Sequence, residues 1–298
     1  MSVGREVAVV CNPAAGGGRA ARLLPRVEQA LRALGFTVGS DLTRDLEHAR
    51  ELARRSAEAG AITVTLGGDG LVGCIVGVLR EVPGSVLGIL PGGRGNDTAG
   101  VLGIPAQIEA ACDVIAHGVE CDLDVGDVEG RSFIGIASLG FDSVANRIAN
   151  DAPARLGRLV YVYGALRALA TWRPARFELR LDGKPIAVTG YTVAACNSST
   201  YGGGMRLAPG AALDDGLLDV VLIAQLSKRS FLATMPKVFG GTHVAHPAVS
   251  VLRGRELWVD ADRPFVVYAD GDPVGATPVT IRVVPGAVRV LLPRIPIG

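Results

Sequence analysis

Hydrophobic and polar positions fall into two regimes along the chain. Up to about residue 121, short β-branched apolar runs alternate with longer stretches whose apolar positions recur at helical spacing. Glu6 to Cys11, Phe36 to Leu42, Ala61 to Leu66 and Val86 to Leu90 read as strands. About Arg19 to Leu34, Leu46 to Ala59, Leu71 to Arg80 and Ala106 to His117 read as helices, with another beginning near Asp97 or Thr98. Such alternation predicts a parallel, doubly wound sheet that takes its ligands outside the carboxyl ends of the strands. Beyond Cys121 the period shortens to two. Phe177, Leu179 and Leu181 alternate with Glu178, Arg180 and Asp182, and Asp182-Gly183 marks a hairpin. Lys184 to Asn197, Leu217 to Ile223, Val249 to Asp260, Phe265 to Ala269, Val279 to Val284 and Ala287 to Leu292 continue the style, with Pro285-Gly286 as a turn. Helices are expected at Leu156 to Trp172 and Lys228 to Phe239. The pattern predicts an N-terminal α/β domain over 1–122 and a C-terminal antiparallel β-sandwich domain over 123–298, whose last few residues return to the first.

Three strand-to-helix junctions in the first half are rich in glycine: Asn12 to Gly18, Gly67-Gly-Asp-Gly70, and Pro91 to Asp97. Glycine lets backbone N–H groups approach an anion without Cβ interference, and a helix start adds positive partial charge, so phosphate is the natural guest. Asp69 inside such a loop opposes polyphosphate unless a metal or a proton-donating hydroxyl lies between them, which suggests phosphoryl transfer. One loop alone reads equally well as a plain connection with a capping aspartate. Three on one sheet edge are a stronger signal.

Composition narrows the classes. A net charge of +1 without any Lys/Arg run leaves no footprint for nucleic acid. Five cysteines, odd in number and without a C-x-x-C pair, indicate buried free thiols in a reducing cytosol. No secretory signal pattern opens the chain, and Leu159 to Trp172, the longest apolar stretch, is too short for a bilayer. The expected location is cytoplasmic, with room for peripheral contact at a membrane surface and for a homodimer.

Taken in order, Asn12-Pro-x-x-Gly16, Gly67-Gly-Asp-Gly70, Pro91-Gly-Gly-Arg-Gly-Asn-Asp97, Tyr201-Gly-Gly-Gly-Met205, Asp214-Asp-Gly-Leu-Leu-Asp219 and Asp270-Gly-Asp272 resemble the diacylglycerol-kinase-type lipid kinases, which include sphingosine kinases. The resemblance implies an ATP- and Mg²⁺-dependent kinase acting on a lipid hydroxyl in a cleft between the two domains. It assigns nucleotide binding to Asn12, Gly16, Thr43, Gly67, Gly68, Gly70, Gly95, Asn96 and Asp97, and Arg94, which stands where the family has a hydroxyl, offers a guanidinium fork for a phosphate. It assigns catalysis to Asp272 and Asp69, and a structural Mg²⁺ to Asp215 with the carbonyls of Ala212 and Leu217. Each assignment has a plainer counterpart: a turn for the glycines, a cap for Asp69, a surface arginine for Arg94, a polar turn for Asp272 and for Asp214-Asp215-Gly216.

Several positions depart from the family's pattern: Leu71, Gly73, Cys74, Arg94 and Asp272, the last where the family's Asp-Gly-Glu places a base. One methylene fewer withdraws the carboxylate by about 1.5 Å, and a 1 Å misplacement can reduce a rate roughly a hundredfold. A kinase with a soluble acceptor, as in NAD kinases, and a non-catalytic nucleotide or lipid sensor therefore stand beside the lipid kinase.

Overall fold

The computed structural model describes residues 5–150 and 159–294, which form two compact units: 1–125 with 285–298, and 126–284. The single boundary expected after 122 lies three residues later, and the returning segment begins at Pro285.

In the first unit β1 (Glu6–Cys11), β2 (Thr37–Leu42), β3 (Ile62–Gly67) and β4 (Val86–Pro91) pair in parallel in the order β2-β1-β3-β4. All six residues of β3 are buried, which explains why it reads as an unbroken apolar run. The helices are α1 (Ala15–Ala33), α2 (Leu46–Glu58), α3 (Asp69–Leu79), α4 (Asp97–Val101) and α5 (Ile108–His117). Gly16, Gly17 and Gly18 have φ of 61, 68 and 84°, so the regular part of α1 starts near Arg19. Asp45 caps α2 by accepting the N–H of His48 at 2.8 Å.

The second unit is antiparallel. It contains β6 (Arg131–Phe133), β7 (Ile136–Gly140), β8 (Ala175–Leu181), β9 (Lys184–Cys196), β10 (Leu218–Ala224), β11 (Val249–Gly254), β12 (Glu256–Ala261), β13 (Val266–Ala269) and β14 (Asp272–Ala276), with helices α6 (Phe141–Asn150), α7 (Leu159–Thr171) and α8 (Lys228–Thr234). Strands β14, β13, β7, β9, β8 and β12 are neighbours in that order, and β10 joins β9 to β11. The hairpin at Asp182-Gly183 is present, with φ of 48 and 78°. Phe141, Trp172, Tyr191, Phe231 and Phe265 form a connected aromatic cluster in the core.

Three expectations need correction. Val249 to Asp260 is two strands, because β11 pairs with β10 whereas β12 pairs with β8. Pro285-Gly286 is not a turn but lies within one strand, β15 (Val279–Leu292). Its first half pairs antiparallel with β12 and its second half parallel with β4, and it also pairs with β5 (Val119–Val128); the proline, which cannot donate, lies outside the β12 and β4 ladders. Lys228 to Phe239 breaks after Thr234 into a 3₁₀ turn at Met235–Val238, where Pro236 removes a helical donor. Strands β6, β7 and β14, with β5 (Val119–Val128), and helix α6 were not anticipated. Residues 156–158 of the helix expected from Leu156 lie outside the described residues.

Candidate active site

The first unit brings its three glycine loops together at the carboxyl ends of β1, β3 and β4. Gly92 donates its N–H to the Gly67 carbonyl at 2.8 Å, and a Cβ on Gly16 would lie 2.5 Å from the Gly92 carbonyl oxygen. A Cβ on Gly93 would meet the Gly68 Cα at 2.5 Å, so the second and third loops touch backbone to backbone. Glycine is required there by packing as well as by any ligand. Between the loops lies an open cavity walled by Asn12, Ala15, Gly16, Leu46, Gly68, Gly70, Leu71, Gly93 and Arg94. Gly70 alone among the glycines of its wall has no heavy atom within 4 Å of a built Cβ.

Polar side chains hold this shape. The Asn12 side-chain oxygen accepts the Ala14 N–H at 3.0 Å. Asn96, left-handed at φ 55°, accepts the Gly93 N–H at 2.8 Å and donates to the Gly93 carbonyl at 3.1 Å. Asp69 accepts the N–H of Thr98 at 2.9 Å and of Asp97 at 3.2 Å, so it caps α4 rather than its own helix. Arg94 is exposed on the cavity wall. Gly67, Thr43, Gly95, Asn96 and Asp97 lie outside that wall. Thr43 is buried with its N–H on the Cys11 carbonyl at 2.8 Å, and Gly67 packs against Leu71. Leu71 is itself buried, and Cys74 bonds the carbonyl of Leu46, so these two departures have packing roles.

Asp270-Gly-Asp272 in the second unit closes the β13–β14 hairpin with φ of 49° at Asp270 and 94° at Gly271. The two aspartates have opposite environments. Asp270 accepts the N–H groups of Ile134, Gly135 and Ile136 at 2.8 to 3.0 Å. Asp272 is exposed at the start of β14, and its carboxylate is free of hydrogen bonds and ion pairs among the described residues.

Asp215 accepts the Leu217 N–H at 3.0 Å and an Arg253 guanidinium N–H on its other oxygen. The same guanidinium lies 3.4 Å from buried Asp219, whose carboxyl is pushed up chiefly by burial and drawn down by Arg253. The carboxylate that the resemblance assigns to Mg²⁺ thus faces a guanidinium in this structure. Among the described residues no cluster of three or more His, Cys, Asp or Glu could hold a metal.

One polar cluster escaped the sequence reading. Asp142, in the first turn of α6, accepts the hydroxyls of Ser138 and of Tyr201, the latter at 3.2 Å. Burial raises its carboxyl, and the two hydroxyl bonds oppose that shift. Its signal was available: an aspartate two residues after a buried strand that ends at Gly140, with φ 93°.

Residues 6–128 match the diacylglycerol kinase catalytic domain, and residues 135–292 match the YegS C-terminal NAD kinase beta sandwich-like domain. A protein named diacylglycerol kinase from Mycobacterium tuberculosis (strain ATCC 25618 / H37Rv) is 35% identical, covering 97% of this chain and 96% of its own. A diacylglycerol kinase from Bacillus subtilis (strain 168) is 26% identical, covering 92% of each. A crystal structure titled as a diacylglycerol kinase from Bacillus anthracis str. Sterne superposes with a TM-score of 0.77 over 98% of both chains at 20% identity, a likeness of fold.

Proposed function

The chain belongs to the diacylglycerol kinase family of lipid kinases, and from that premise we propose that it transfers the γ-phosphoryl group of ATP to a hydroxyl of a diacylglycerol-like or sphingoid alcohol. The observation that carries the reading is the open cavity to whose wall each of the three loops contributes glycine. Wall groups of this kind suit a polyphosphate: small, rich in N–H, and opened at the start of α3.

Bound ATP supplies the phosphoryl group, with Mg²⁺ arriving on its phosphates. The glycines at 16, 68 and 70 present backbone to the chain of phosphates, Gly93, its N–H held by Asn96, shapes the wall, and Arg94 adds a guanidinium suited to a bidentate phosphate contact. Asp69, engaged by two amides, is a positioning residue that ties the second loop to the third. Asp272 is the base: its exposed, unengaged carboxylate is able to accept the proton of an acceptor hydroxyl. Asp270 fixes the hairpin from which Asp272 projects.

The test is transfer of labelled phosphoryl from ATP to a lipid extract, to soluble alcohols and to NAD. Labelled lipid supports the reading. Label on NAD or a soluble alcohol alone assigns a soluble acceptor, and tight ATP binding without transfer to any alcohol assigns a sensor.

A further inference from the structure

From Val220 to Arg255 the chain contains no aspartate or glutamate, while it carries Lys228, Arg229, Lys237, Arg253 and Arg255. Acidic and basic residues are almost equal in number over the whole chain, 29 against 30; Arg253 is balanced by Asp215 and Asp219, so the local excess of positive charge rests on Lys228, Arg229, Lys237 and Arg255. It includes α8 and the 3₁₀ turn that follows. Their inward side is well anchored. Phe231 is buried and stacks on Tyr191 with ring centroids 4.4 Å apart, and Lys228 donates to the Ala170 carbonyl at 2.8 Å.

Their outward side is different. Arg229, Leu232 and Ala233 on α8, Pro236 and Lys237 in the 3₁₀ turn, and Phe239 just after it are all exposed. Leu232 is 41% exposed and Phe239 57%, the largest value among the exposed large hydrophobic residues. Arg206, also exposed, is joined to the strip through its N–H on the Val238 carbonyl at 3.0 Å. An isolated exposed leucine needs no explanation. Leucine and phenylalanine flanked by arginine and lysine, with no acidic residue in the segment, are the composition of a face that lies in the interfacial plane of an anionic bilayer.

We propose that the outward face of α8 and the Met235–Val238 turn, with Leu232 and Phe239 inserted and Arg229, Lys237 and Arg206 on lipid phosphates, docks the protein on an anionic membrane surface. The proposal rests on the lipid-kinase reading and names the surface by which such an enzyme reaches an acceptor held in a bilayer. Aromatic and leucine side chains gain by entering the headgroup boundary. The long basic side chains keep their charges at the phosphate level.

The experiment is co-sedimentation of the full chain with phosphatidylcholine vesicles with and without phosphatidylglycerol. Wild type is expected to bind the anionic vesicles, and to be released by salt. Leu232→Ser with Phe239→Ser should weaken that binding about tenfold or more. Arg229→Glu with Lys237→Glu should abolish the preference for phosphatidylglycerol. All changed positions are exposed, and melting by circular dichroism checks that both variants fold. ATP affinity, read by calorimetry, should be the same in all three proteins. Transfer to a short-chain soluble acceptor should also be unchanged, which separates loss of docking from failure of the kinase reading. Equal sedimentation with neutral and anionic vesicles, or unchanged binding by both variants, would overturn the proposal. So would a wild-type dimer that the Leu232/Phe239 variant dissociates while still binding vesicles, since the face would then belong to a second copy of the chain.

Discussion

Asp69 accepts the backbone N–H of Thr98 at 2.9 Å, so the aspartate of one glycine loop caps the helix that grows out of the next. A capping carboxylate typically stabilises by about 0.5–2 kcal/mol. Asp69→Ala should lower unfolding stability by that amount and weaken ATP binding, because the second and third loops lose their tie. Asp69→Asn keeps one acceptor oxygen and should recover part of both. Denaturant unfolding and calorimetry on the two variants check this. An Asn variant with wild-type stability and affinity but no turnover would make Asp69 a participant in the chemistry instead.

Gly70 separates ligand space from packing space. Gly68→Val would press a Cβ toward the Gly93 Cα at 3.3 Å, so folding and binding would fall together. Gly70 lines the cavity, and a Cβ built on it meets no atom within 4 Å. Gly70→Val should therefore melt near wild type yet bind ATP at least tenfold more weakly, about 1.4 kcal/mol. Wild-type affinity in that variant would remove the nucleotide from this cavity.

Much of this site is legible in sequence because glycine is a local requirement. Gly16, Gly17 and Gly18 take left-handed φ, and Gly68 and Gly93 are pressed together, so the loops announce themselves wherever a strand ends and a helix begins. Long-range pairing leaves no such mark. The passage of β15 from one ladder to another depends on partners at Glu256 and Val86, far away in sequence. Asp270 and Asp272 look equivalent in the motif. Only the fold reveals that Asp270 holds three amides across more than 130 residues of chain while Asp272 holds none. Likewise nothing near Asp215 in sequence points to Arg253.

The Arg253 contact reverses the expectation for chelators. EDTA should leave the wild-type melting temperature unchanged, because a guanidinium already balances Asp215 and Asp219. Arg253→Gln leaves the buried Asp219 carboxylate without its cation. It should lower stability by about 1–3 kcal/mol, and millimolar Mg²⁺ should then stabilise this variant but not wild type. A wild type that loses stability in EDTA and regains it with Mg²⁺ would restore the metal site.

Asp142 gives the fold a pH dependence of calculable sign. Its carboxyl is raised in the folded state, first by burial, against the hydroxyl bonds of Ser138 and Tyr201. Between the ordinary carboxylate range and the raised value, the native state binds more protons than the unfolded chain, so stability falls as pH rises through that window. Asp142→Asn stays neutral and can still accept a hydroxyl. Its stability relative to wild type should improve from pH 4 upward as Asp142 ionises, as urea unfolding at a series of pH values would show. A constant difference across the series would mean that Asp142 titrates alike in both states.

Asp272 separates a kinase from a sensor. It begins β14 after a left-handed pair, Asp270 and Gly271, and the three amides on Asp270 prevent that hairpin from drifting. The base proposed above is therefore carried on a turn that Asp270 anchors, although its own side chain is exposed. Asp272→Asn keeps the size and removes the proton acceptor, so turnover should fall by the general-base contribution of roughly 10² to 10⁴ while ATP affinity and melting stay at wild type. Asp272→Glu extends the carboxylate by one methylene into solvent-exposed space, so the backbone need not move to accommodate it. That variant should match or exceed the wild-type rate if the shorter side chain is what limits proton transfer. Rates of single turnover with a soluble acceptor read the two variants without interference from membrane binding. Retention of most of the turnover by the Asn variant would take the base away from Asp272, and a Glu variant slower than the Asn variant would place the carboxylate outside the reaction altogether.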